Sequence, residues 1–309
     1  MQHDQASMTS GINMLCFTGC YAIALALEAL GLWKRPPGRR LATVAAMLIG
    51  MVAHTWYLAD RAGQAPWAPL ASQHDWCLAA AWTLSLVYLG FVLYYPRASS
   101  GLFLLPVVLG LIAAARWSSR EPIATFQAPR VWGQLHGVFL MLGAVAVLVG
   151  FVAGLMYLVQ SHWLKHKRPI GERLRLPSLE WLERINGRSL AGATILIAMG
   201  FVTGVLTHLA QRDGEFRWSD PVVLSLSGML SWLVAAECFR LAYPAARRGR
   251  KVAYLTLAGF VFLLITLSAF MRDGAAHGAP RTKAKAAGGA PKASAIAAAG
   301  GAPRTGGPP

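Results

Sequence analysis

The chain has 309 residues, with 29 Lys and Arg against 13 Asp and Glu, a formal net charge of +16 at pH 7. Only 14% of it is charged and 55% is hydrophobic, the mean hydropathy is +0.45, and apolar runs of bilayer length recur throughout, which excludes most soluble classes and points to a polytopic membrane protein. The basic residues sit in short loops between apolar runs, where they set membrane orientation, so the basic balance is not read as nucleic-acid binding.

A bilayer core of about 30 Å needs about 20 apolar helical residues, because each backbone N–H and C=O must be paired within the span. In chain order the predicted spans are Ile12 to Leu32, Leu41 to Ala59, Trp76 to Tyr95, Gly101 to Ala115, Val131 to Val159, Ser189 to Ala210, Val222 to Tyr243 and Val252 to Met271. The fold class is therefore all-α, a polytopic membrane helix bundle of about eight transmembrane helices over residues 1–273, with the fourth span the shortest. No Lys or Arg precedes Ile12 and no cleavage-like site follows the first run, so that helix is expected to remain in the mature protein. In the longest loop, Gln160 to Arg188, Ser178 is placed to cap a short amphipathic helix through Arg184 on the membrane surface. Gly150 and Gly154 in span five, and Gly200 and Gly204 in span six, have GxxxG spacing and are read as packing residues. Residues 274–309 are Ala, Gly, Pro and Lys with little bulky apolar content, a composition expected to be disordered.

Orientation follows from the loops. Those after spans one, three, five and seven hold 16 Lys and Arg, and the opposite set, without the tail, holds six. The first set should be cytoplasmic, with both termini on the outer side.

Histidine at membrane depth is costly and marks a functional candidate. In this orientation His54, His74, His136, His208 and His277 lie toward the outer side, whereas His162 and His166 belong to the basic inner loop. Imidazoles from two helices can clamp haem iron. Such a site needs aromatic walls, which Trp132, Trp67, Trp76, Trp117, Phe216 and Trp218 offer in the same outer layer; the competing account is an interfacial aromatic belt with histidines bonded to helix ends. Cys16, Cys20, Cys77 and Cys238 all fall within spans and form no CxxC pair, and they are read as buried thiols. No GxxxxGK, GxSxG or HExxH motif is present. Glu237 and Arg240, three apart on one span, are placed to pair.

From Ile185 to Met271 the sequence resembles the cytochrome c assembly family of haem-handling membrane proteins, particularly its divergent HemX-like branch. The resemblance rests on Asn186-Gly187-Arg188, on Met199-Gly200-Phe201-Val202-Thr203-Gly204 and on Trp218-Ser219-Asp220-Pro221. It continues through Ser231-Trp232-Leu233-Val234, the stretch Arg248 to Leu255 and Gly259-Phe260, with Met51-Val52-Ala53-His54 and Trp132-Gly133-Gln134-Leu135-His136 upstream. It implies that haem lies against an external tryptophan-rich loop, here reduced to Phe216, Trp218 and Asp220. It further implies that His136 and His277 are the external ligands of haem iron, that Trp132 flanks the first, and that His54 is a deeper membrane histidine. Arg240 stands where the family has a second membrane histidine. With that loop reduced, the resemblance suits a haem-binding accessory or regulatory protein of the bacterial inner membrane, acting in cytochrome c maturation or in control of haem supply. The implied partners are haem, a partner assembly protein or an apocytochrome c, and the lipid bilayer. A solute transporter or channel, and a scaffold subunit with no ligand, are the alternatives; a Soret band separates them from haem handling.

Overall fold

The structure is a computed structural model and describes residues 2–33, 36–64, 72–95, 98–120, 130–166, 175–210, 219–243 and 250–277, with the backbone alone for residues 2–13, 64, 130–131, 208, 210 and 273–277. The described residues form helices α1 (Gln2–Leu30), α2 (Arg39–Gln64), α3 (Gln73–Tyr94), α4 (Gly101–Trp117), α5 (Arg130–Lys165), α6 (Leu179–Ala210), α7 (Pro221–Ala242) and α8 (Arg250–His277). Six of these, α2, α3 and α5 to α8, are long and apolar enough to cross a membrane, while Met14–Leu30 and Gly101–Trp117 are shorter apolar helices. The protein is thus a polytopic helical membrane bundle. The putting-together is sequential, as short connections demand: α1 packs on α2 and α4, α3 on α4, α5 on α6 and α8, and α7 on α8, with α3 and α4 joining the two halves through α5.

The two ends of the bundle are closed by different chemistry. At the basic end Arg39 pairs with Glu28 at 3.4 Å, and the same carboxylate accepts the Tyr88 hydroxyl at 3.2 Å. There α2 opens from Gly38, whose φ of +84° is a conformation that favours glycine. Arg250 Nε bonds Ser161 Oγ at 2.9 Å, and Glu237 and Arg240 pair as the spacing required. At the opposite end α8 is tied to α3 and α4: Gln73 Nε2 donates to the Phe270 carbonyl, Trp76 packs on Phe270, and Ser118 Oγ lies 3.2 Å from Met271 Sδ. Neighbouring helices therefore alternate in direction.

Three expectations are corrected. The separate surface helix from Ser178 to Arg184 does not exist: Ser178 does cap, accepting from Trp181 N at 3.3 Å, but the helix it starts is α6 itself, unbroken to Ala210. Asn186 and Gly187, weak helix formers, are carried through because both are buried between neighbouring helices. The thiols are not uniformly buried, since Cys16 and Cys238 are exposed on the bundle surface and only Cys77 is enclosed. His74, which the predicted third span leaves in the loop before Trp76, is in the first turn of α3, as described below. The tail at 278–309 and Trp67, Phe216 and Trp218 lie outside the described residues.

Candidate functional site

His136 sits in the second turn of α5, on the seam with α6. The seam is close because glycines line it. A Cβ at Gly200 would lie 2.5 Å from Leu140 Cδ2, and one at Gly204 would lie 2.8 Å from both Cε1 and Nδ1 of His136, so the imidazole occupies the space that a side chain at 204 would need. His136 Nδ1 is 2.7 Å from the Gly200 carbonyl oxygen. A carbonyl only accepts, so Nδ1 carries the proton and Nε2 keeps its lone pair. The ring is half-buried, and one turn nearer the helix start Trp132 is exposed.

His54 and His74 occupy the other half of the bundle. His54 is fully enclosed, stacked on Phe17 with ring centroids 4.2 Å apart and planes 1° from parallel. Its Nδ1 is 3.2 Å from the Tyr21 hydroxyl, while its Nε2 is buried with no partner among the described residues. His74 falls in the first turn of α3 because Ser72 Oγ caps that helix, accepting from Asp75 N at 3.1 Å and so drawing residues 73 to 75 into it. There Nδ1 donates to the Ala115 carbonyl at 2.7 Å and Nε2 accepts from the Tyr57 hydroxyl at 3.1 Å. Both nitrogens are used, so His74 is a structural histidine joining α2, α3 and α4. An Arg61–Asp75 ion pair beside it closes this end.

Asp220 stands at the start of α7. Its Oδ1 accepts from Val222 N at 2.8 Å and Val223 N at 3.4 Å, and Pro221 follows at the first helical position. Its carboxylate is therefore the cap of α7. His277 is the last residue of α8 and His208 lies near the end of α6, both at the same end of the bundle as His136; their side chains lie outside the described residues, as do Phe216 and Trp218 entirely. His162 and His166 are exposed at the opposite end. The structure thus gathers His136, Gly200 and Gly204 into one constellation and leaves His54 apart in the α1–α2 half. Among the described residues no group of three or more His, Cys, Asp or Glu is arranged to hold a bare metal ion. The sequence reading took Gly200 and Gly204 as packing residues only. The signal that would have tied them to His136 is their one-turn spacing on the span next to the histidine, toward the same end.

Residues 67–274 match the family described as Cytochrome C assembly protein. The chain belongs to that family. It is accordingly a membrane protein of cytochrome c biogenesis. The matched residues include Trp132, His136, Phe216, Trp218 and Asp220, whereas His54 and His277 fall outside them. The chain is also similar, at 26% identity over 167 residues, to an "Uncharacterized 28.8 kDa protein in nifR3-like 5'region" of Azospirillum brasilense, covering 53% of this chain and 60% of that relative. The match therefore spans less than two thirds of the relative's length.

Proposed function

We propose that this cytochrome c assembly protein binds haem at the bundle end that carries His136 and handles it for cytochrome c maturation or for control of haem supply. The observation that carries the reading is the state of His136. Its Nδ1–H is held by the Gly200 carbonyl, the arrangement that fixes tautomer and ring direction and raises the basicity of the other nitrogen in metal-ligating histidines. The donor set fits the group: a neutral, oriented imidazole at a half-buried seam, with the apolar face of Trp132 one turn away. Bound haem would supply an iron that accepts nitrogen lone pairs. His136 would hold the iron through Nε2. His277, extended past the point where α8 is fastened at Met271, is the proposed second ligand. Trp218 and Phe216 would cover the porphyrin face, and Asp220 would fix where their loop joins α7. His54, enclosed and with Nε2 unpartnered among the described residues, suits a deeper staging contact that opens only when α1 and α2 part. The outer side of the inner membrane is the proposed location of this end, with both termini there, because the opposite end carries most of the loop Lys and Arg.

The test is the visible spectrum of the protein purified in detergent. A Soret band is expected, with His136→Ala and His277→Ala each lowering haem occupancy or shifting the band, and with His162→Ala and His166→Ala doing neither. Haem carried unchanged through both of the first two substitutions would refute the ligand assignment. A protein that takes up no haem would refute the function.

A further inference from the structure

At the basic end of the bundle α6 presents a short ridge of two arginines. Arg184 is exposed and shares its charge with the still more exposed Glu180 at 2.9 Å, an ion pair of the kind that contributes little when solvated. Arg188, one turn further on and exposed, has no ion pair or hydrogen bond among the described residues. These two side chains border two grooves at once. One is polar, about 650 Å³, and is shared with Glu180, Glu183, Gly187, Ala191 and Arg240. The other is about 510 Å³ and runs along α3, where its wall is Val87, Gly90 and Phe91 and its mouth is Tyr94, Tyr95 and Trp181. Across the second groove Trp181 of α6 meets Phe91 of α3, and Tyr95 just past the end of α3, edge-on at 4.9 and 4.8 Å. Nothing lies within 4 Å of where a Cβ at Gly90 would project.

We propose that this crevice binds an anionic phospholipid, its phosphodiester headgroup on Arg184 and Arg188 and one acyl chain along Val87, Gly90 and Phe91. An anionic, long-chain ligand matches the crevice because the two arginines edge its hydrocarbon wall, while Glu180 and Glu183 line the polar groove on their other side. The crevice lies at the end of membrane-crossing helices, at the depth where headgroups meet chains and where tyrosine and tryptophan concentrate. A lipid held there would wedge α3 against α6 across the junction of the two halves of the bundle.

Native mass spectrometry of the full chain in detergent, titrated with phosphatidylglycerol and separately with phosphatidylcholine, tests this. Phosphatidylglycerol adducts are expected to persist and phosphatidylcholine adducts to be lost on activation. The double variant Arg184→Gln, Arg188→Gln should weaken phosphatidylglycerol binding by about 30-fold, the loss expected for two interfacial cations, while Arg40→Gln, an exposed arginine at the same end, should leave it unchanged. Gly90→Leu keeps both charges and fills the crevice, so it should also lose the lipid and decides the matter if the arginine variant does not fold. Equal retention of phosphatidylcholine, or phosphatidylglycerol binding that survives either variant, overturns the proposal. Full competition by inorganic phosphate would make the ridge a simple anion site and overturn the lipid assignment.

Discussion

Gly204→Ala is the smallest change that reaches His136 without touching it. The new Cβ would stand 2.8 Å from two atoms of the imidazole, closer than real contacts allow, so the ring must swing and the 2.7 Å bond from Nδ1 to the Gly200 carbonyl must break. Overpacking of this kind costs about 1 to 3 kcal/mol, and the lost hydrogen bond adds about 0.5 to 1.5 kcal/mol. The carbonyl itself is not orphaned, because Thr203 Oγ1 still donates to it at 2.9 Å. Set against a helix-propensity gain of about 0.5 to 1 kcal/mol, the expected net loss is about 0.5 to 4 kcal/mol, read from thermal or denaturant unfolding in detergent, together with weakened haem uptake as the imidazole loses its direction. Gly192→Ala is the control on the same helix. It meets nothing within 4 Å and should be neutral or gain up to about 1 kcal/mol from helix propensity. Adding His136→Ala to Gly204→Ala removes the object of the clash, so the double variant should recover about 1 to 3 kcal/mol relative to the sum of the single variants. Strict additivity, or a Gly204→Ala protein as stable as the parent, would refute the contact on which the site is built.

Replacing Asp220 with Ala should cost about 1 kcal/mol by uncapping α7, and Asp220→Ser should restore most of it; a spectral change in Asp220→Ser with stability intact would instead give the carboxylate a direct part in the site. Single cysteines placed within residues 167–174 and 211–218 of a cysteine-free background should differ in labelling by an impermeant thiol reagent added to intact cells, with only the second reacting; labelling of the first would invert the orientation. Deleting Ala279 to Pro309 should leave the unfolding temperature unchanged, because that composition buries too little apolar area to offset an ordering entropy of about 1 to 2 kcal/mol per residue; a marked drop would mean that the tail docks.

The sequence by itself determined the class of the molecule and the chain order of its helices. Backbone pairing in hydrocarbon leaves few solutions, so apolar runs of span length declare themselves, and the spans read from Leu41 onward lie within or close to the ends of α2 to α8. The family was also legible, because motifs such as Trp-Gly-Gln-Leu-His at residues 132–136 are contiguous. Helix ends were less so: Ser178 was recognised as a cap, but whether its helix stopped at Arg184 or ran on through Asn186 and Gly187 depended on neighbours that bury those residues. The roles of individual histidines could be decided only in three dimensions. His74, His54 and His136 are one residue type in similar helical contexts, yet one has both ring nitrogens bonded, one has a buried nitrogen without a partner among the described residues, and one is held through Nδ1 with Nε2 left over. What distinguishes them is a hydroxyl or carbonyl on another helix, as far as 64 residues away in the chain for His136. No local pattern encodes that distance; the close approach of α5 to α6 at Gly200 and Gly204 does.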